Sequence, residues 1–220
     1  MKHVVITGAN CGIGLELARH YQAAGWRVTG VCRKSTNELD QAVEQTIEGI
    51  DVTSKECVDL LATSLQGQTI DLLINNAGVF LDETLGELDF ASLRLQMEVN
   101  AFAPLRISEA LLPNMQAGSK IANITSLMGS IADNNSGGRY GYRASKAAFN
   151  AFGRSLAMDL KERGIAVAQL RPGFVKTRMV NFGGLLSPED SASGLAERIE
   201  ALNLENSGSF WHSNGKELPW

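Results

Sequence analysis

A tyrosine and a lysine four residues apart, Tyr142 and Lys146, are the pair of side chains in this 220-residue sequence best suited to proton transfer. They open a run in which apolar residues recur at helical spacing, namely Phe149, Phe152, Leu156 and Leu160. Positions i and i+4 lie on one face of a helix, so the phenol and the ammonium should face the same side. A nearby cation lowers the pKa of a phenol from about 10 and makes its proton usable near neutral pH. The same spacing occurs by chance on surface helices, so the pair alone does not establish a site.

The first element that could accompany such a site is a strand, a glycine-rich turn and a helix at the start of the chain. Residues 3–7 are largely apolar and β-branched, three glycines follow within residues 8–14, and a helical pattern then runs to Gly25. Glycines let the backbone turn sharply and approach a ligand, and the N-terminus of the following helix suits a pyrophosphate. The pattern predicts dinucleotide binding, and a turn that uses glycine only for steric reasons is the alternative. The residues predicted to line it are Gly8, Asn10, Cys11, Gly12, Ile13 and Gly14.

The end of the second predicted strand, Arg27–Cys32, indicates which dinucleotide is bound. About twenty residues past the glycine turn, dinucleotide folds place an acid for the ribose 2′-hydroxyl or an arginine for a 2′-phosphate. Here Arg33 and Lys34 follow the strand, and no acid occurs before Glu38. Two cations without a carboxylate favour NADP(H) over NAD(H), and a basic pair in a solvated loop is the alternative.

Polar residues also follow the third and fourth predicted strands, at the edge where open α/β sheets bind ligands. The third strand, 46–50, is followed by Asp51 and Val52, for which we predict contacts to the adenine side of the cofactor. Asp51 could instead cap the next helix, although Ser54 is better suited to that role. The fourth strand, 70–74, has the continuous apolar run of a buried parallel strand. Two asparagines and two small residues follow it, namely Asn75, Asn76, Ala77 and Gly78. We predict that Asn76, Ala77 and Gly78 contact the cofactor, and a plain asparagine-rich turn is the alternative.

Strand and helix patterns alternate along the rest of the chain. A helical pattern over 88–116 has Asn100 in its middle, where an asparagine competes for backbone hydrogen bonds and often marks a kink or a functional site. The remaining predicted elements are a fifth strand at 120–126, a sixth at 165–170, a helix at 187–203 and a seventh strand at 208–212. This alternation predicts an α/β fold with one single-domain, Rossmann-like doubly wound sheet. We expect about seven parallel strands with helices on both faces, spanning residues 1–220.

The composition is that of an ordinary globular protein, with 44% hydrophobic and 20% charged residues. A net charge of −4 and a pI near 5.5 argue against a nucleic-acid or anionic-membrane partner. The apolar runs are too short to span a bilayer, and the N-terminus lacks the pattern of an export signal, so we expect a cytoplasmic protein. The three cysteines and three histidines are scattered, so we predict reduced thiols and no metal site.

A set of short motifs follows one order along the chain: Thr-Gly-x-x-x-Gly-Ile-Gly at 7–14, Asn-Asn-Ala-Gly at 75–78, Ser126, Tyr-x-x-x-Lys at 142–146 and Pro-Gly-x-Val-x-Thr at 172–177. This set resembles the single-domain type of the short-chain dehydrogenase/reductase family, and the resemblance covers essentially the whole chain. The stretch 130–146 looks like the Sniffer-type carbonyl reductases and the C-factor-like bacterial proteins. The resemblance implies an NADP-dependent oxidoreductase acting on CH–OH and C=O groups.

Roles follow from this resemblance. Tyr142 would exchange a proton with the substrate oxygen, and Lys146 would lower its pKa and hold the nicotinamide ribose. Ser126 would polarise the carbonyl, and Asn100 would support a water of the proton relay. Such donors stabilise the negative charge that develops on oxygen during hydride addition, while the cofactor supplies the hydride. The cofactor contacts implied after the sixth strand are Pro172, Gly173, Val175 and Thr177.

Two features depart from the family pattern. Sixteen residues separate Ser126 from Tyr142, more than in most members, and a loop insertion at 135–138 accounts for the excess, so Ser130 is a rival for the serine role. The segment 178–186 is short where many relatives carry a longer lid, which implies an open site. Several apolar residues suggest apolar substrate walls, unless they are core or dimer contacts: Phe80, Met128, Met179, Val180, Phe182 and Leu185.

The function predicted is NADPH-dependent reduction of an aldehyde or ketone, or the reverse oxidation, on a fairly apolar small molecule. One alternative is a nucleotide-binding regulatory or signalling protein of C-factor type with little turnover. A sugar-nucleotide epimerase is a weaker one, because the additional C-terminal substrate region of such relatives is missing. The resemblance also implies a homodimer or homotetramer formed through the helices at 88–116 and 142–162.

Overall fold

Seven parallel strands form one sheet in the computed structural model, which describes residues 1–220. The strands are β1 (His3–Thr7), β2 (Arg27–Val31), β3 (Gln45–Ile47), β4 (Leu72–Asn75), β5 (Lys120–Ile124), β6 (Ala166–Arg171) and β7 (Phe210–His212). Their order is β3-β2-β1-β4-β5-β6-β7, and every neighbouring pair is parallel. The chain reverses its direction of winding between β1 and β4, which opens a crevice at their carboxyl ends. The predicted Rossmann-like doubly wound sheet is confirmed.

Helices cover both faces of this sheet. They are α1 (Gly12–Ala23), α2 (Asn37–Ala42), α3 (Lys55–Ser64), α4 (Phe90–Met97), α5 (Ala103–Leu111), α6 (Tyr140–Asp159) and α7 (Pro188–Ala201). Val4 and Ile6 of β1 belong to one apolar core and Val5 to the other, because successive strand residues point to opposite faces. Residues of α1 and α7 close the first core, and residues of α3, α5 and α6 close the second. None of the helices combines the length and hydrophobicity that a membrane span needs.

The helical pattern predicted over 88–116 is present but changes its geometry along its length. It consists of α4, a π-helical segment at Glu98–Phe102, α5 and a 3₁₀ turn at Leu112–Asn114. Asn100 lies in the π segment, and its side-chain amide bonds the backbone of Val79. A π segment accommodates an extra residue in one turn and is frequent at functional sites. The helical pattern predicted over 88–116 is therefore confirmed for Phe90–Asn114, and the irregularity expected at Asn100 is present.

The third strand is shorter than predicted. β3 ends at Ile47, and Gly49 then takes a left-handed φ of 78°, which leads the chain out of the strand. β3 lies at the edge of the sheet and pairs only with β2, so no second neighbour extends it. Asp51 therefore lies in the loop before α3 and not directly at the end of a strand. The carbonyl of Cys32 still accepts from the N–H of Ile50 at 3.1 Å, which keeps this loop beside the end of β2.

Candidate active site

The glycine-rich turn between β1 and α1 has a backbone geometry that demands glycine. Gly8 and Gly12 have left-handed φ angles of 64° and 55°. A Cβ on Gly14 would lie 2.3 Å from the carbonyl oxygen of Gly8. Cys11, which precedes α1, makes no capping bond, and the first turn of the helix carries no acid. Amide N–H groups and the positive end of the helix dipole thus remain available, and these residues fit the pyrophosphate of a dinucleotide.

Asn76 and Thr7 hold the end of β4 against this turn. The side-chain amide of Asn76 donates to the carbonyls of Thr7 and Gly8, both at 3.0 Å. The Thr7 hydroxyl accepts from the backbone N–H groups of Asn76 and Ala77 at 3.0 and 3.1 Å. Asn75 instead donates to two side chains of the core. The structure therefore brings Asn76 and Ala77 to the glycine turn, as predicted, and leaves Asn75 in a buried structural role.

Arg33 and Asp51, predicted for the adenosine side, come together in exposed loops after β2 and β3. Asp51 accepts from the N–H and the hydroxyl of Thr53 at 2.9 and 2.8 Å. These two bonds, and to a smaller extent the charge of Arg33, hold the pKa of Asp51 below its usual value. Val52 packs against the core beneath. The capping role considered for Asp51 falls to Ser54, whose hydroxyl accepts from the first turn of α3.

The segment Pro172–Thr177 leaves β6 and returns to the glycine turn. Within it, Gly173 has a left-handed φ of 95° and Val175 is buried. A Cβ on Gly12 would lie 3.3 Å from the Cγ2 atom of Thr177, so Thr177 packs directly against the turn. The predicted cofactor residues of the first and sixth strands therefore meet at one edge of the sheet.

Lys146 lies almost fully buried at the carboxyl end of β5. Only 4% of the residue is exposed, and its ammonium donates to the carbonyl of Ile124 at 3.0 Å. Burial disfavours the charged form and lowers the pKa of Lys146 from 10.5 to about 8. An ammonium carries three donors. Ile124 takes one of them, so the others suit the ribose hydroxyls of a dinucleotide.

Tyr142 lies on the same side of α6 as Lys146, but its pKa shifts in the direction opposite to the predicted one. Burial raises the pKa of Tyr142 above 10, and hydrogen bonding from the Ser126 hydroxyl opposes the rise. The ring of Phe80 packs edge-on against the Tyr142 ring, with centroids 5.0 Å apart. The Lys146 ammonium lies 5.9 Å from the Tyr142 ring centroid. The predicted lowering of the Tyr142 pKa by Lys146 is wrong, because burial is the largest influence on that pKa and raises it.

Asn100 is fully buried and joins two parts of the site. Its side-chain oxygen accepts from the N–H of Val79 at 2.8 Å, and its amide donates to the Val79 carbonyl at 2.9 Å. The same amide donates to the hydroxyl of Ser145, in α6, at 3.0 Å. A Cβ on Gly78 would lie 3.2 Å from the Asn100 oxygen and 3.8 Å from the Lys146 nitrogen. Asn100 thus ties the loop after β4 to the helix that carries the tyrosine and lysine.

The two candidate serines have different surroundings. Ser126 lies near enough to Tyr142 to oppose the rise in its pKa, and its oxygen accepts from the backbone of the following 3₁₀ turn, Leu127–Gly129. Ser130 is buried, donates to the carbonyl of Trp220 at 3.1 Å and accepts from a backbone N–H of its own loop at 3.1 Å. Because the hydroxyl of Ser130 is committed to these contacts, the geometry favours Ser126 for contact with a substrate.

The short segment 178–186 exposes several of the apolar residues predicted to form substrate walls. Phe182 and Leu185 are 66% and 85% exposed, and Met179 is exposed as well. Val180 is half-buried. The alternative that these side chains belong to the core is therefore wrong for Phe182, Leu185 and Met179.

One buried acid near this edge was absent from the predictions. Glu83, in the loop after β4, accepts from the N–H of Gly141 at the start of α6 at 3.1 Å. Composition gives no sign of this contact, since Glu83 stands among polar loop residues and Gly141 lies 58 positions later. The available signal was the four-residue spacing of Ser92, Gln96 and Asn100, which places three polar side chains on one helix face.

The fold and the arrangement of this edge are those of a dinucleotide-binding oxidoreductase. The short chain dehydrogenase family matches residues 2–183, and the chain belongs to that family, whose members act on CH–OH and C=O groups. The 1-hydroxy-2-glutathionyl-2-methyl-3-butene dehydrogenase of Rhodococcus sp. is 38% identical over an alignment of 226 positions, which covers 100% of both chains. The C-signal protein of Myxococcus xanthus is 42% identical over 162 residues, which cover 72% of this chain and 98% of that protein.

Similar solved structures include carbonyl reductases. The carbonyl reductase Sniffer of D. melanogaster has a TM-score of 0.91 at 27% identity, with 100% of both chains covered. A carbonyl reductase from Pseudomonas aeruginosa in complex with NADP has a TM-score of 0.88 at 33% identity, again over 100% of both chains. The predicted family is confirmed, as is the predicted likeness to Sniffer-type and C-factor-like proteins.

Proposed function

We propose that this chain reduces the carbonyl group of an aldehyde or ketone with NADPH, or oxidises the corresponding alcohol in reverse. The observation that carries the proposal is the convergence of Tyr142, Ser126 and Lys146 at the carboxyl edge of the sheet, beside the glycine-rich turn. When bound, the cofactor supplies or accepts the hydride. The side chains of the protein hold the substrate oxygen and move its proton.

Tyr142 is the proposed proton donor for reduction. Because burial raises its pKa, the phenol stays protonated at neutral pH and can give its proton to the substrate oxygen as that atom gains negative charge. Ser126 donates a second hydrogen bond to the same oxygen and stabilises the developing charge. Lys146, with a pKa of about 8, can return a proton to the phenol. The role proposed for Asn100 is to support a water of this proton relay.

For the cofactor, we propose that NADP(H) is preferred over NAD(H). Arg33 is exposed just after β2, where a 2′-phosphate would lie, and no carboxylate occurs between it and Glu38. The side-chain amide of Asn10 donates to the carbonyl of Lys34 at 3.0 Å, which ties the basic segment to the glycine-rich turn. The NADP complex of the Pseudomonas aeruginosa relative supports the same choice.

For the substrate, we propose a fairly apolar small molecule. The Phe80 ring against Tyr142 and the exposed side chains of Phe182 and Leu185 offer apolar surface around an open edge. The Rhodococcus relative is named a dehydrogenase, which supports alcohol oxidation as the reverse direction.

The test measures NADPH oxidation against a panel of aldehydes and ketones for the wild type and for Tyr142→Phe. Removal of the phenolic hydroxyl should lower kcat about a thousandfold, because a positioned acid contributes about 10²- to 10⁴-fold. Affinity for NADPH, followed by fluorescence titration, should stay close to that of the wild type. Comparable rates in the two proteins would refute the acid–base role of Tyr142.

A second candidate function is signalling or regulation with little turnover, and the likeness to C-signal favours it. The presence of Asn100, Ser126, Tyr142 and Lys146 supports catalysis instead, because a purely nucleotide-binding protein has no need of a proton donor. Tight NADPH binding without reduction of any carbonyl in the panel would favour the signalling function.

We also propose a homodimer or homotetramer formed through α4, α5 and α6. Phe102 is 41% exposed beside the ring of Phe152, with centroids 6.1 Å apart, and Leu95 and Met158 are each 48% exposed on these helices. A light-scattering mass equal to one chain would refute this assembly.

A further inference from the structure

Three polar side chains at four-residue spacing form a ladder along one face of α4 and the π segment: Ser92, Gln96 and Asn100. The ladder faces the loop after β4 and holds every second residue of that loop from Val79 to Glu83. Asn100 bonds both backbone groups of Val79, and Gln96 accepts from the N–H of Leu81 at 3.0 Å. Ser92 donates to the carboxylate of Glu83 at 2.8 Å. The loop is thus fixed from Val79 to Glu83, and this fixed stretch ends on a buried acid.

Glu83 is only 5% exposed, and its carboxylate has several donors. One carboxylate oxygen accepts from the hydroxyl of Ser92 and from the side-chain amide of Gln96. The other oxygen accepts from the backbone N–H of Gly141 at 3.1 Å. The carbonyl of Glu83 also accepts from the N–H of Arg139 at 3.2 Å. Glu83 therefore connects the ladder to the start of α6 through both its side chain and its backbone.

α6 has no cap from its own sequence. The preceding residue, Arg139, has a left-handed φ of 52°, and its side chain makes no capping bond. The first N–H groups of a helix need outside acceptors, and a negative charge is favourable there. Glu83 supplies both. Gly141 allows the contact, since a Cβ on it would lie 2.8 Å from the Oε1 atom of Glu83 and 2.5 Å from the Nε2 atom of Gln96.

We propose that Glu83 is a positioning residue for Tyr142. Its carboxylate fixes the first turn of α6, of which Tyr142 is the third residue, and so keeps the phenol aligned with Ser126 and Lys146. The same loop carries Phe80, whose ring packs on Tyr142, so the ladder holds both the helix and one wall of the site. This inference rests on the proposed acid–base role of Tyr142. Position matters because a displacement of about 1 Å can lower a rate about a hundredfold.

The test compares the wild type with Glu83→Gln, Glu83→Ala and the double exchange Glu83→Gln/Gln96→Glu. In Glu83→Gln an amide nitrogen replaces an acceptor oxygen and faces the donors around it, so the first turn of α6 loses its anionic acceptor. The double exchange moves the carboxylate to position 96, where it can accept from Leu81 and from the new amide, so each group regains a partner. Glu87→Gln changes an exposed carboxylate of the same loop and is the matched control.

Rates are measured with NADPH and the carbonyl probes 4-nitrobenzaldehyde and 9,10-phenanthrenequinone. We expect kcat to fall about tenfold in Glu83→Gln and about a hundredfold in Glu83→Ala, with NADPH affinity and KM close to the wild-type values. The double exchange should recover most of the loss, and Glu87→Gln should show none. Amide hydrogen exchange in the first turn of α6 should be faster in Glu83→Gln, which reports on positioning without turnover. If Glu83→Ala does not fold, Glu83→Gln and the double exchange still test the positioning role of Glu83.

A wild-type kcat in folded Glu83→Gln would overturn the inference, as would unchanged amide exchange in α6. A loss of NADPH affinity as large as the loss of kcat, or a folded double exchange without recovery, would also overturn it. Tyr142→Phe is measured alongside. If that variant keeps the wild-type rate, the proposed acid–base role fails and this inference fails with it. A large loss in Tyr142→Phe with no loss in the Glu83 variants overturns the inference alone.

Discussion

The two halves of the carboxyl edge of the sheet are built differently. The half proposed to bind adenosine, after β1, β2 and β3, has left-handed glycines, free helix N–H groups and the exposed side chains of Arg33 and Asp51. The proposed catalytic half, after β4 and β5, buries Asn100, Glu83 and Lys146 and joins them to their surroundings by hydrogen bonds. Charge in the first half is solvated, whereas charge in the second half is enclosed.

Because of this difference, the two halves should respond differently to amino-acid substitutions. An exposed charge is screened by water and salt, so its exchange alters ligand preference with little effect on the fold. A buried polar group needs all of its partners, and the loss of one leaves others unsatisfied. Cofactor preference should therefore be easy to change in this protein, and catalysis should be hard to change without a cost in stability. Lys146 is the expected exception.

Lys146→Met should separate activity from stability within the catalytic half. Methionine has a similar volume and no charge to desolvate, so the free energy of unfolding should stay equal or rise by about 1 kcal/mol. Reduction should fall about a thousandfold, because the proton supply to Tyr142 and a ribose contact are lost. Urea unfolding and NADPH-linked kinetics measure the two quantities. A variant that loses stability together with activity would show that the ammonium holds the fold.

Asn100→Ala should lower both the stability and the activity of the protein. It removes the partners of both Val79 backbone groups and of the Ser145 hydroxyl, so the free energy of unfolding should fall by about 2–4 kcal/mol. We expect kcat to fall about a hundredfold through misplacement of α6. Asn114→Ala is the control, because Asn114 also donates two bonds to backbone carbonyls but lies near the amino ends of β4 and β5, away from the site. Equal kcat values for the two variants would contradict the assignment of Asn100 to the site.

Arg33→Asp should change cofactor preference and leave the fold intact. An acid at this exposed position repels a 2′-phosphate and can accept from a ribose hydroxyl, so the ratio of NADPH to NADH affinity should fall about tenfold or more. Thermal unfolding should be nearly unchanged. Arg94→Asp, on the exposed face of α4, is the control for a general change in surface charge. Equal affinities of the unmodified protein for NADPH and NADH would exclude this role of Arg33.

The rates of reduction and oxidation should depend on pH in opposite ways. The expected change in each rate is several-fold, smaller than the effects of the substitutions above. The pKa of Lys146 is lowered to about 8, so the ammonium that returns a proton to Tyr142 is present below pH 8 and is lost as the pH rises through that value. Reduction should therefore decline above pH 8, whereas oxidation, which must release a proton, should increase. Initial rates in both directions between pH 6 and 10 measure this. A reduction rate that rises through pH 8 would contradict the proposed proton path.

The fold was largely predictable because its signals are local. The alternation of apolar strands with helical periodicity, and the glycine-rich turn at 8–14, follow from residues close together in the chain. The boundaries of β3 were predicted wrongly, and the π segment within the helical run at 88–116 was not predicted. β3 lacks a neighbour on one side, and the π segment depends on the contact of Asn100 with Val79, 21 positions away.

The positions of the candidate site residues in the fold were predictable, but their electrostatics were not. Sequence by itself determined that Tyr142 and Lys146 share a helix face and that the glycine-rich turn, Asn76 and Thr177 belong to strand ends, because helical periodicity and strand order are written along the chain. Only the tertiary structure decided that burial raises the pKa of Tyr142 and lowers that of Lys146. It also distinguished the two candidate serines by their contacts and revealed Glu83 as the cap of α6. These outcomes depend on desolvation and on partners up to 90 positions apart, and neither leaves a local pattern in the sequence.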